Sequence, residues 1–271
     1  MTQTDTEFYK VMFESLYPEV YVHAGVLEAM MHVLNEEEKQ RSPGSPFRLF
    51  LTPNILPLPL LVKDVPEKQR KDLLNDTMTL VLSNLKINHI NKVDMIFIPI
   101  IKSEHVFLLV LDLKTPSFEL FDNMVIGDER VDRYEEIPTY MRDVFVNYFL
   151  DQDHPNAYKL YQQTPKIPDL PWKTTENGED CGIFCMRHMK TYMGGGVKGW
   201  KCGLLPESDG QRRQLQQLRI KYLCKILTST VNILKDDIIV QAREHDRLDP
   251  KKKQWPKTIK KMIKSRQTRF L

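Results

Sequence analysis

The chain has no apolar stretch long enough to cross a bilayer, which excludes a membrane-spanning helix. Its opening residues, MTQTDTEFYK, hold neither a basic cluster nor an apolar core, so no secretory signal is expected there. Only four cysteines occur in 271 residues, too few for a disulfide framework in a chain of this length. Reduced thiols and a location in the nucleus or cytoplasm are therefore expected. Paired CxxC knuckles are also missing, and with them the usual mark of a structural zinc site. No internal repeat is found.

What remains is a chain long enough to bury one large domain or two small ones. The net charge of +3 conceals an asymmetry. Residues 249–271 hold nine Lys or Arg and one acid, which leaves 30 basic and 35 acidic residues in the other 248. A mildly acidic body thus carries a strongly basic tail. Lys251–Lys253 and Lys260–Lys261 form two clusters with the spacing of a nuclear import signal. Trp255, Ile259, Met262 and Ile263 also fall on one helical face, which fits a basic amphipathic helix on an anionic surface. The tail is expected to contact an import receptor or nucleic acid, the plain alternative being a solvated end; it favours the nucleus.

Along the body, Gly25 to Glu38 reads as a helix with Val26, Met30, Val33 and Leu34 on one face and a solvated EEEK end. Ser42 to Pro59 holds five prolines and reads as loop, and a polar helix is expected around Glu67 to Leu85. The pattern then changes. Asp94 to Ile101, Val106 to Leu111 and Phe118 to Phe121 are short, β-branched and aromatic runs separated by polar turns. These are strands, the first two buried on both faces. Pro99 calls for a strand end or an edge. Met141, Val144, Phe145, Tyr148 and Phe149 restore the helical period, and Asp151 to Pro171 is loop-like. A helix beginning near Cys181 stops at Gly194–Gly196, and a long helix is expected over Arg212 to Lys235. Helices before and after a central group of strands indicate an α+β domain over residues 1–245, followed by the tail, 246–271.

The stretch EDCGIFCMRH, Glu179 to His188, carries the chemistry. A cysteine at a helix start lies among unpaired N–H groups and the positive end of the dipole, which favour its thiolate. A cysteine hydrolase also needs an imidazole and a group to orient it. His105 begins the second strand run and Asp122 ends the third, with a hairpin-sized turn between the two strands. Antiparallel pairing would make the two residues neighbours at one sheet edge. Taken singly, each has an ordinary role: a buried thiol, a surface histidine, a turn aspartate. Taken jointly, Cys181, His105 and Asp122 point to nucleophilic catalysis. Cys181, Cys185 and His188 have spacing that fits zinc on one helix face, but no fourth ligand stands nearby, so neither a metal nor any other cofactor is expected. Cys185 is read as a core residue, and Cys202 and Cys224 as structural.

Val93 to Ile100, His105, Leu111 to Leu113, Leu120 to Met124 and Asn177 to Phe184 together resemble the SUMO/sentrin-specific protease family of cysteine peptidases. Trp172 to Met193 is most similar to the divergent plant members, many of them carried by transposons. The resemblance implies a papain-like α+β fold with the cysteine helix packed against a mixed sheet carrying His and Asp. It implies cleavage after the C-terminal glycine of a SUMO-like modifier, with that modifier and its conjugates as partners, and His105, Asp122 and Cys181 as the triad.

Three departures stand out. Val106 replaces the tryptophan that follows the catalytic histidine in the family and helps cover a narrow channel. Thr175 replaces a glutamine that donates to the oxyanion, with Gln162 and Gln163 as alternative donors. Losing one such donor typically costs ~100-fold or more in rate. Finally, Gly25 to Leu34 lacks an expected tryptophan. Val106 and Thr175 keep a second reading open, a non-catalytic module that grips a ubiquitin-like protein.

Overall fold

A computed structural model describes residues 7–53, 65–125, 133–134 and 136–248. The basic clusters of the tail and the end of the proline-rich stretch lie outside the described residues. Helix α1 (Lys10–Phe13) precedes α2 (Ala24–Glu38), strand β1 (Arg48–Phe50) and α3 (Glu67–Asn84). Strands β2 (Met95–Lys102), β3 (His105–Asp112) and β4 (Ser117–Phe121) follow. Helices α4 (Ile137–Asp151), α5 (Ala157–Tyr161), α6 (Cys181–Thr191), α7 (Asp209–Leu227) and α8 (Lys235–Asp246) complete the order.

The four strands form one mixed sheet in the order β1-β2-β3-β4, with β1 parallel to β2 and the other pairs antiparallel. The nearly continuous apolar runs have a direct cause: successive side chains point to opposite faces, and both faces are covered. Met95, Phe97, Val106, Leu108, Val110 and Phe121 pack on one side with residues of α2, α6 and α7. Ile96, Ile98, Ile100, Phe107, Leu109, Leu111 and Leu120 pack on the other with residues of α3, α4 and α5. Pro99 lies past the end of β1, whose register on β2 stops at Phe50↔Phe97, so its missing N–H costs no ladder bond on that side.

The structure departs from the sequence reading at four places. Residues Arg48–Phe50 are a strand, not loop; three residues are too few to show a period. Glu38 is buried rather than solvated, because its carboxylate takes the Arg48 guanidinium at 2.6 Å. The last long helix stops at Leu227, where Thr228 caps it, and α8 begins anew at Lys235 with no buried residue. Within the loop expected over 151–171, Ala157–Tyr161 form a short helix.

Candidate active site

The β2–β3 hairpin turns through Ser103 and Glu104, at φ +47° and +65°. Lys102 pairs with His105 across it. This is a tight two-residue turn made without glycine or asparagine, so it stores strain next to His105. On the other side, the β3–β4 register pairs Leu108 with Phe121, which brings Asp122, the next residue, diagonally beside His105. The His105 Nε2 lies 2.9 Å from both Asp122 oxygens.

Asp122 is buried and fully engaged. It accepts from the Met124 N–H at 2.8 Å and from the Tyr134 hydroxyl at 2.6 Å, and the Arg133 guanidinium stands 3.7 Å away. Burial works to raise the carboxyl's pKa, but the bonds and charge of His105, with those from Met124 and Tyr134, hold it below the ordinary value. His105 shows the matching effect. Burial works to lower its pKa, yet hydrogen bonds to Asp122 and Cys181, and their charges, raise it to about 9. With Nε2 given to Asp122, Nδ1 is the nitrogen left for the thiol.

Cys181 reaches this pair by a path no local pattern reveals. After α5 the chain returns along β4 and runs on beside its continuation. Lys166 donates to Phe118 O at 2.9 Å, and Thr174 to Asn123 O at 2.7 Å. Helix α6 then starts at Cys181, with the carbonyl of Asp180 taking the N–H groups of Ile183 and Phe184 at 2.8 and 3.0 Å. The thiol is buried, its Sγ 3.9 Å from the Glu104 carbonyl in the hairpin turn. Its own N–H makes a 3.3 Å turn bond to Gly178 O. The far end of α6 is held too: Arg48 Nη1 donates to the carbonyls of Met189, Lys190 and Tyr192 at 3.1 to 3.4 Å. Those are the orphan carbonyls of a helix C-terminus.

Gly182 is dictated by packing. A Cβ there would stand 2.7 Å from the Val22 Cβ, so the helix start sits against that residue as closely as a bare Cα allows. Gly182→Ala is expected to destabilise the fold by about 1–3 kcal/mol through overpacking. Thermal denaturation of Gly182→Ala beside the unchanged chain measures it, and an unaltered midpoint would show that the helix start can shift away from Val22.

Tyr134 carries no signal in the sequence reading, because a tyrosine between polar residues has no periodic context. The structure makes it the hydroxyl donor to the buried carboxylate. A hydrogen bond to a charged group contributes about 1.5–3 kcal/mol. Tyr134→Phe is therefore expected to lower kcat ~10-fold or more, read from steady-state cleavage at unchanged fold. Tyr21 was equally silent. Its hydroxyl lies 3.7 Å from where a Gly178 Cβ would stand, and burial together with the charges of Glu179, Glu104 and Cys181 raises its pKa.

Of the three oxyanion candidates, Thr175 and Gln163 have side-chain partners of their own. The Thr175 hydroxyl donates to Glu207 at 2.8 Å, and its N–H donates to the same carboxylate. Gln163, just past the end of α5, donates to Lys159 O and accepts from Arg142 through its backbone carbonyl. Val106 is buried in the same cluster as Cys181. Of the residues weighed for zinc, Cys185 is buried with its thiol pKa pushed up. His188 Nε2 accepts from Trp172 Nε1 at 2.9 Å, and burial lowers its pKa to about 3. Among the described residues, no group of three or more His, Cys, Asp and Glu side chains is placed to hold a metal ion.

A thiol at a helix start, an imidazole electrostatically coupled to it and a buried carboxylate behind the imidazole make the arrangement of a cysteine hydrolase. The family model of the Ulp1 protease family, C-terminal catalytic domain, matches residues 23–216, and the chain belongs to that family of cysteine proteases. Among solved structures, the fold is similar to the C-terminal Ulp1 protease domain in complex with Smt3, the yeast ortholog of SUMO. The identity is 19%, the TM-score 0.56, and the match covers 86% of this chain and 88% of that one. It is also similar to the Chaetomium thermophilum Ulp1-like SUMO protease catalytic domain, at 17% identity and TM-score 0.52, covering 86% and 85%. A de-sumoylating protease is similar at 14% identity and TM-score 0.52, covering 87% and 92%. At these identities the likeness is one of fold. No curated protein sequence matches the chain.

Proposed function

We propose that this protease cleaves after the C-terminal glycine of a small ubiquitin-like modifier of the SUMO type, using Cys181, His105 and Asp122 as its triad. The observation that carries the reading is the buried Asp122 carboxylate bonded to His105 at 2.9 Å, with the Cys181 thiol at the helix start acting on the same imidazole. The Cys181 thiolate attacks the glycine carbonyl and a C–S bond forms. The oxyanion collapses, the C–N bond breaks, and His105⁺ gives its proton to the leaving amine, a lysine ε-nitrogen when a conjugate is cut. Water then adds to the thioester as His105 takes its proton, the C–S bond breaks, and the modifier leaves with a free carboxylate. Asp122 holds the ring with Nε2–H toward itself, so that Nδ1 serves the thiol. Neither metal nor nucleotide enters these steps.

The bound modifier of one similar structure supports the choice of substrate class. The two basic clusters of the tail support a nuclear location, through an import receptor. That part is sunk if deleting residues 249–271 leaves cellular distribution unchanged. The test of the main reading is covalent capture. The protein is mixed with a panel of ubiquitin-like modifiers bearing a C-terminal electrophile, beside Cys181→Ala. An adduct with a SUMO-type modifier, absent in the variant, is the expected result. No adduct with any modifier in a folded protein would replace the reading with that of a binding module, for which Val106 and the engaged Thr175 are the motive.

A further inference from the structure

Arg219 lies on the apolar stripe of α7, one residue from Leu218 and three from Tyr222, yet it is 1% exposed. A guanidinium is never deprotonated in a protein, so its burial requires every donor to be satisfied. All three nitrogens are. Nε donates to Asp180 Oδ1 at 2.7 Å, and Nη2 stands 2.6 Å from the same oxygen. Nη2 donates to Val20 O at 2.8 Å and Glu179 O at 3.1 Å. Nη1 donates to Ser15 O and Tyr17 O, each at 3.0 Å. The second Asp180 oxygen takes the Asn177 amide at 2.7 Å.

One buried cation thus joins three distant pieces of chain. The first is the segment 15–20, which leads into Tyr21 and Val22, the residues set against Gly178 and Gly182. The second is Glu179–Asp180, the two residues before the nucleophile. The third is α7 itself. Ser15, Tyr17 and Val20 precede the stretch matched by the family model and Arg219 follows it, so the clasp closes from outside that stretch onto the cysteine within it.

We infer that Arg219 is a positioning residue: by clamping Asp180 and Glu179 to the segment 15–20, it sets where α6 begins and so where the Cys181 thiol and N–H stand relative to His105. This rests on the catalytic reading of Cys181. Displacements of an ångström at a reacting centre cost ~100-fold in rate, and the residue before the nucleophile has no other charged partner in its clasp.

The test uses the full chain with Arg219→Lys, which keeps the charge and loses the fork, and Asp180→Asn, which keeps size and one acceptor oxygen. Cys181 alkylation by iodoacetamide is followed across pH by peptide mass, with exposed Cys224 as internal reference. Amide hydrogen exchange is measured over 179–184 and over 189–191. In folded variants, Cys181 alkylation and kcat for the modifier substrate are expected to fall ~10-fold or more, with KM little changed. Exchange over 179–184 should rise while 189–191, held by Arg48, stays as it was. Folded variants with a lower Tm but wild-type alkylation, kcat and exchange over 179–184 would overturn the inference and leave Arg219 a stabilising residue only. Wild-type Cys181 that reacts no faster than Cys224 would remove the catalytic reading instead, and the exchange result alone would then decide the clasp.

Discussion

Cys181→Ala is expected to lower cleavage by about 10,000-fold or more, because under the proposed mechanism the attacking atom is gone and the remaining groups act only as its support. The variant should stay folded. Alanine keeps the helix start and its Cβ, and the thiol's contact with the Glu104 carbonyl is a long 3.9 Å. The stability lost with one buried sulfur is about 1 kcal/mol. Binding of the uncleaved modifier should survive. Single-turnover cleavage, thermal denaturation and equilibrium binding on one preparation separate the three quantities. Undiminished cleavage would transfer the nucleophile to another residue.

Asp122→Asn should lower kcat ~1,000- to 10,000-fold while leaving KM near its original value. The amide is nearly the same shape, but it can present an N–H to His105 Nε2 and so stabilise the wrong tautomer. It also removes the charge that Tyr134, Met124 and Arg133 surround. The pH dependence of stability checks the electrostatic half. His105 is raised to about 9 in the folded chain, above its ordinary unfolded value near 6.5. The imidazolium's contribution is therefore fully present below about pH 6.5 and lost as pH rises through about 9. In Asp122→Asn the loss of stability over that window should shrink, because the main partner of the charge is gone. Denaturation midpoints at a series of pH values for both proteins read this directly. An unchanged slope would mean that Asp122 does not hold the charge.

The sheet was legible because its chemistry is local. A strand covered on both faces must be apolar at every position, and Ile96, Ile98 and Leu109 obey that rule without reference to any other segment. The helical stripe Leu215, Leu218, Tyr222 and Ile226 was legible for the same reason, through a period of 3.6. The pairing of His105 with Asp122 needed only a hairpin and the alternation of strands. Sequence alone thus determined the fold class, the hairpin edge and a cysteine at a helix start.

Tertiary structure decided the rest, and the reason is distance along the chain. Tyr134 completes the shell around Asp122 from beyond β4, and nothing in its neighbours announces it. Thr175 was assigned by position, but a hydroxyl's partner is set by what faces it, here Glu207, 32 residues away. Glu38 and Arg219 carry charges that a sequence pattern assigns to solvent. Each is buried because its opposite charge arrives from a remote segment, Arg48 for one and Asp180 for the other. Periodicity reports which residues shun water; it does not report which charges will find a partner inside, and both ends of the cysteine helix are held by such pairs.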